Sequence, residues 1–490
     1  MTDLDRLAAS VLLPGFDGSA VPGWLASWLD AGLAGVCLFG HNVVDDDQIR
    51  TLTDSLHGHG SHVIVASDEE GGTVSRLDRR DGSPWPGHAT LGALDDVEAT
   101  RAVAAGMATR LRALGVDLAL APVVDVNSEP DNPVIGVRSF GATPDLVGRH
   151  GAAFVRGLQS AGVAACVKHF PGHGATRTDS HLTLPVLDVS PEVLLSRDIP
   201  PFEAAVRANV ACVMTAHVVV PSLDQSPATT SHTLLGLLRE DLGFKGVVVT
   251  DALDMRAVSD GAGRCDAAVR ALVAGADLLC VGNPVYPDPY DDAAAVTELV
   301  EKITLAVRTG RLPRERLEEA SGRVGALARR AHHSRTRAPQ PAAHGPELGR
   351  DVAARALRAT GDVRVGDELV VVVPETEVAM AAGRRESALV RVLARRRPSS
   401  RVVRLDSTGS AAEVTSNPAA GDLLVVLDGR PTVEAATALD ALLAARPDTV
   451  VVDASVREGA WSARGLVRTF GGGLAVAEAV ADLVLEGDAR

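Results

Sequence analysis

The first two-thirds of the chain repeats one pattern: a short, continuously apolar run, a polar break, then a longer stretch with helical spacing. Apolar runs fall at residues 10–14, 35–39, 63–67, 117–122, 164–168, 212–216, 247–251 and 277–281. Within them polar and apolar positions do not alternate, as expected of strands buried on both faces. Helical spacing fills most of the intervals, for example 97–114, 146–161, 201–208 and 266–274. Eight strands alternating with helices over roughly 300 residues predict a (β/α)8 TIM-like barrel. A doubly wound open sheet is the competing arrangement, but no Gly-rich dinucleotide fingerprint follows the first run.

The rhythm stops at H-S-R-T-R-A-P-Q-P-A-A-H-G-P, residues 333–346, which reads as a linker. Beyond it, apolar runs at 368–373, 401–405, 422–427 and 449–453, with helical spacing at 433–445 and 474–486, predict a second α/β unit. The expected fold class is therefore α/β, a barrel with a second, smaller α/β sandwich domain. The expected division is a catalytic barrel at 1–335, a linker at 336–350 and a C-terminal domain at 351–490. The arginine run 395–397 reads as a solvated helix end.

Composition narrows the partners. A formal charge of -15 and a pI near 5.4 argue against nucleic acid and anionic membrane. Aromatics make up only 3% of residues, so the cores must be built from Val, Leu and Ala. Cys37, Cys166, Cys212 and Cys280 lie inside apolar runs and read as buried thiols, which suits a reducing compartment. The acidic start M-T-D-L-D-R lacks the features of a signal peptide. No apolar run reaches the ~18 residues of a membrane helix. A cytoplasmic location is the expectation.

Chemistry concentrates where barrel strands end. In this fold the C-terminal strand ends face the active site. Reading only those positions gives Asp68 with Glu69 and Glu70, Asp125 and Asn127 with Arg138 beyond, Lys168 and His169, His217, and Asp251 with Asp254. The densest stretch is residues 168–181, K-H-F-P-G-H-G-A-T-R-T-D-S-H, a strand end running into a Gly-rich polar loop. Of 48 Lys plus Arg only Lys168, Lys245 and Lys302 are lysine, so a lysine at this position is unlikely to be incidental surface charge.

Each group has a plainer alternative. Asp251, in V-V-V-T-D-A-L-D-M, is either a nucleophile or electrostatic stabiliser, or a cap of the next helix. Asp254 falls in the following turn and reads as such a cap. Asp179 lies two residues before His181, a spacing that lets a carboxylate orient an imidazole for proton transfer. Read alone, His181 is equally a polar loop residue. His173 reads as loop-structural, and His217 stays open between a core and a site role. Ser180 suggests a serine triad only superficially, because no G-x-S-x-G elbow is present.

K-H-F-P-G-H-G followed by D-S-H resembles the glycoside hydrolase family 3 β-N-acetylglucosaminidases, bacterial enzymes of cell-wall recycling. Residues 68–72 (D-E-E-G-G), 132–141 (N-P-V-I-G-V-R-S-F-G) and 250–253 (T-D-A-L) match the same pattern, so the resemblance covers most of residues 1–330. It implies that Asp251 is the nucleophile of a covalent glycosyl–enzyme. It implies that His181 is a histidine acid/base with Asp179 as its partner, so that the second domain need not donate chemistry. Asp68, Arg138, Lys168 and His169 would hold sugar hydroxyls. No cofactor or metal is implied. Two departures are Glu69, where glutamine is commoner, and the stretch 255–264.

The resemblance implies a retaining exo-β-N-acetylglucosaminidase acting on wall-derived or chitin-derived glycosides, its partner a small carbohydrate. A histidine in place of an acid/base carboxylate would not repel phosphate, so a phosphorylase of the same family is the near alternative. A catalytically inactive sugar-binding protein is an alternative of another class. A barrel metallohydrolase would be expected to carry a paired H-x-H after the first strand, where this chain has G-F-D-G-S-A.

Overall fold

A computed structural model of the chain describes residues 1–178, 184–257, 263–337, 345–377, 386–406, 411–412, 414, 421–457, 459 and 461–485. By their contacts these residues form two compact units. One gathers Met1–Glu70, Val97–Ile135 and Gly141–His344, and the other gathers Gly71–Asp96, Gly136–Phe140 and Gly345–Arg490. Of the stretch read as a linker, residues 338–344 lie outside the described residues, and the helix Pro346–Ala356 occupies its end.

In the first unit each of the eight apolar runs contains a strand. They are β1 (Leu12–Pro14), β2 (Gly35–Leu38), β3 (Ile64–Ser67), β4 (Leu118–Ala119), β5 (Ala164–Phe170), β6 (Cys212–Thr215), β7 (Val247–Thr250) and β8 (Leu279–Gly282). Strands β2 to β7 pair in parallel in chain order, and β1 pairs in parallel with β8. A parallel bridge between Val249 and Leu278 joins β7 to the start of β8. The sheet thus curls into the predicted barrel. Every residue of these strands is buried, which is why their sequences run apolar without alternation. β4 is short because Pro122 has no N–H to give the ladder, which resumes as a bridge between Val123 and Lys168.

Small and branched side chains fill the interior: Leu13, Cys37, Ile64, Ala66, Leu118, Leu120, Cys166, Cys212, Met214, Val247, Val249 and Leu278. The helix Arg314–Thr336 adds Val324, Leu327 and Ala328 to this core at the end where the strands begin. Its polar face meets two fully desolvated aspartates. Asp277, just before β8, accepts from Arg316 (2.6 Å), Arg323 (3.0 Å) and Arg239. Asp117, just before β4, accepts from Arg335 (2.5 Å) and His57 (3.0 Å). Each also caps a neighbouring strand's N–H, Val248 for Asp277 (2.9 Å) and Val65 for Asp117 (3.0 Å). Buried carboxylates persist when their lone pairs are met in this way.

The second unit holds β9 (Arg358–Gly361), β10 (Leu369–Pro374), β11 (Arg401–Leu405), β12 (Asp422–Leu427), β13 (Val450–Asp453) and β14 (Gly465–Arg468). Their order is β9-β14-β13-β12-β10-β11, parallel except for the antiparallel β9. Apolar clusters contain opposite-facing residues of β10, Val371 in one and Val370 with Val372 in the other, giving the expected layered α/β unit. The patterning does not reveal β9 or β14: R-A-T-G is exposed throughout, and G-L-V-R buries only alternate residues. The segment 136–140 joins this unit through a backbone approach at Gly92, where any Cβ would lie 1.8 Å from the Phe140 carbonyl oxygen. The arginine run is a helix end, but not simply a solvated one: Arg396 pairs with Asp482 (2.5 Å) and Glu478.

Candidate active site

Parallel pairing in register carries the ends of β3, β4, β5, β6 and β7 to one rim of the barrel. Lys168, in the last turn of β5, is buried, its side chain 3% exposed. Its Nζ donates to Asp68 Oδ1 (2.7 Å) and Glu70 Oε1 (2.8 Å), both just past β3. A single ammonium is therefore shared by two carboxylates. Glu69, the charge added where glutamine is commoner, turns instead to Ser67, whose hydroxyl donates to Oε1 (3.2 Å).

The next residue is held just as closely. Val124 donates its N–H to the Lys168 carbonyl (2.8 Å), so the segment after β4 runs beside the end of β5. This brings Asp125 onto His169. The Asp125 carboxylate receives His169 Nδ1 (2.7 Å) and two backbone amides, His169 N–H (3.2 Å) and His173 N–H (2.8 Å). Burial pushes the Asp125 carboxyl up, but the His169 imidazole and these donors more than reverse it, leaving the group below its ordinary range and ionised.

The Gly-rich loop that follows is pinned rather than loose up to its described end. Asn132 donates to the His173 carbonyl (2.8 Å), and its Oδ1 accepts Val134 N–H (2.9 Å) and Ile135 N–H (2.7 Å). This is the structural content of N-P-V-I, and no local spacing announces it. A Cβ on Gly174 would lie 2.0 Å from the Val126 carbonyl oxygen, so only glycine fits there. His173 is loop-structural as expected, with Nδ1 against Thr176 Oγ1 (2.7 Å). Burial drives its pKa down to about 4, against the pull of Asp125, so the ring is neutral at pH 7.

Asp251 follows β7, half-buried, with its Oδ1 accepting the Ala252 N–H (2.8 Å). Its neighbours are clamped from both adjoining strands. From the β6 side, buried His217 donates from Nε2 to the Ala252 carbonyl (2.9 Å), with Thr229 at Nδ1 (2.7 Å). From the β8 side, Cys280 donates its N–H to Thr250 Oγ1 (3.0 Å), and Asn283 donates its N–H to Asp254 Oδ2 (2.7 Å). Asp254 therefore ties the turn to β8. Burial raises its carboxyl to about 7, and the charge of Asp251 adds to that rise. Asp251 follows β7 and the P-G-H-G loop follows β5, parallel strands joined through β6, so both leave the sheet at the same rim.

The structure thus brings together Asp68, Lys168, His169 and Asp251 in the first unit. Arg138 lies in the 3-10 turn Gly136–Arg138, within the segment grouped with the second unit. Asp179 and His181 lie outside the described residues. Sequence reading placed Asp125 on the rim but not its partners, and missed Glu70 as the second acceptor of Lys168.

Carboxylates, a buried lysine and a carboxylate-held histidine at the strand ends of a parallel barrel are groups that glycoside hydrolysis uses. Residues 25–327, more than half of the chain, match the glycosyl hydrolase family 3 N-terminal domain, and the chain belongs to that family. It is similar to the β-hexosaminidase A of Pseudoalteromonas piscicida, 35% identical over 335 residues, a match spanning 64% of this chain and only 54% of that protein. A glycoside hydrolase family 3 β-N-acetylglucosaminidase from Paenibacillus sp. str. FPU-7 is similar over 99% of this chain and 97% of its own, with TM-score 0.85 and 29% identity. NagZ from Neisseria gonorrhoeae, solved in complex with N-trifluoroacetyl-D-glucosamine, covers 65% of this chain and 97% of its own, with TM-score 0.53 and 31% identity.

Proposed function

We propose that the protein is a retaining exo-β-N-acetylglucosaminidase that releases terminal N-acetylglucosamine from wall-derived or chitin-derived glycosides. Asp251 attacks the anomeric carbon and forms a glycosyl–enzyme, which water then opens. His181, paired with Asp179, gives a proton to the leaving oxygen and later takes one from water; neutral imidazole chemistry near pH 6.5 suits both steps. Asp68, Lys168, His169 and Arg138 hold the sugar hydroxyls. The observation that best supports this reading is the Lys168 ammonium shared by Asp68 and Glu70, next in sequence to the Asp125-held His169. Charged, mutually fixed donors and acceptors of this kind favour a hydroxyl-rich ring and lose little entropy on binding it. The relatives' own N-acetylhexosamine names and ligand support the acetamido sugar as substrate. Free cysteines at all five positions support a reducing, cytoplasmic setting. Among the described residues no helix is long and apolar enough to cross a membrane.

The test is turnover of an aryl β-N-acetylglucosaminide beside the matching β-glucoside, with and without inorganic phosphate. We expect free N-acetylglucosamine from the first substrate alone, at a rate indifferent to phosphate. Sugar 1-phosphate as the main product would replace hydrolysis by phosphorolysis. Equal rates on both substrates would remove the acetamido preference, and no turnover of either would favour a sugar-binding protein.

A further inference from the structure

Asp125 is fully buried, and through His169 it reaches the barrel mouth. Its carboxylate spans the corner between β5 and the Gly-rich loop, gripping the ring and the amide of His169 and the amide of His173. A carboxylate accepts hydrogen bonds only, so the nitrogen facing it must carry a proton. We propose that Asp125 is a positioning residue that fixes the proton of His169 on Nδ1 and leaves Nε2 as the acceptor for a sugar hydroxyl. This rests on the reading above that His169 holds the sugar.

The geometry makes the role separable from bulk. In Asp125→Asn the amide oxygen takes the place of Oδ1, where the two backbone N–H groups already point. The new NH2 then faces His169 Nδ1 at the position of Oδ2. It forces that nitrogen to accept and moves the ring proton to Nε2, where a donor now meets the sugar. Size is unchanged while tautomer is reversed.

The experiment is nitrogen-15 NMR of the full-length protein labelled in histidine side chains, with His169→Gln identifying the His169 signals. In the wild type at pH 8 we expect the proton of His169 on Nδ1; its absence there overturns the proposal whether or not Asp125→Asn folds. Asp125→Asn should move the proton to Nε2 and lower kcat/KM by roughly 10–100-fold, with a rise in KM. In a His169→Gln background the same substitution should cost less than twofold. A loss that persists undiminished there marks Asp125 as merely structural and overturns the proposal. If His169→Gln alone leaves kcat and KM unchanged, the sugar-holding reading of His169 fails and takes the proposal with it, although the tautomer result stands independently.

Discussion

Two ends of the same barrel bury aspartates and treat them in opposite ways. Where the strands begin, Asp277 and Asp117 are saturated by arginine forks, by His57 and by strand N–H groups. Where the strands finish, Asp68 and Glu70 share one lysine, and Asp125 faces an imidazole. Arginine is permanently charged and matches carboxylates with a rigid fork, so the first arrangement locks charge in place. Lysine is a compact point charge and histidine a ring with two nitrogens, so the second arrangement is built from groups with less rigid directionality than an arginine fork. The same residue type thus serves stability at one end and, in the function proposed above, sugar binding at the other.

The sharpest break in this comparison should come from Asp251→Asn. It removes the oxygen proposed to attack while keeping the half-buried turn, so kcat should fall by about a thousandfold or more with the melting temperature unchanged. Initial rates and calorimetry on the same preparation check it.

At the opposite end Asp277→Asn leaves Arg239, Arg316 and Arg323 without their shared carboxylate. Denaturant unfolding should show a loss of about 3–5 kcal/mol, while kcat per folded molecule and KM stay at wild-type values. A change in KM would erase the contrast between the two ends.

A smaller effect is expected from His217→Ala, which takes the His217 donor from the Ala252 carbonyl beside Asp251, the proposed nucleophile. We expect kcat to drop about tenfold through misplacement of Asp251, with KM little altered.

The mildest prediction concerns pH. Asp254 holds its proton in the fold up to about 7, whereas unfolded it ionises near 3.8. Between those values the folded state binds more protons, so this group's contribution to stability falls as pH rises through that window. Asp254→Asn keeps an acceptor for Asn283 but cannot ionise. It should flatten the decline and be relatively more stable than wild type at pH 8 than at pH 5, read from melting temperatures across that range.

The sequence disclosed the barrel because strands buried on both faces must be apolar at every position, and V-V-V-T, A-A-C-V and I-V-A-S leave little else to form. The rim was legible for a related reason: a charge that ends such a run has no apolar explanation. Partnerships were harder to see. Asn132 meets His173 across 41 residues, and Lys168 meets Asp68 across 100, with no local period to report either. Asp254 reads as a helix cap because it sits four residues past β7 where helical spacing begins, and no local spacing announces its bond to the Asn283 N–H. β9 was invisible because an exposed antiparallel edge needs no apolar residues. The grouping of 71–96 and 136–140 with the second unit, which takes Arg138 with it, follows from close backbone approaches such as Gly349 on Pro84 and Gly473 on Gly72, with Gly92 on Phe140 drawing in 136–140.

The most direct measurement is covalent trapping. Incubating the protein with an activated 5-fluoro N-acetylglucosaminide should add one sugar by intact mass, and peptide mapping should locate it on Asp251. The label should be absent from Asp251→Asn. A sugar carried by any other residue, or turnover that continues undiminished in Asp251→Asn, would contradict the assignment of that aspartate as the attacking group.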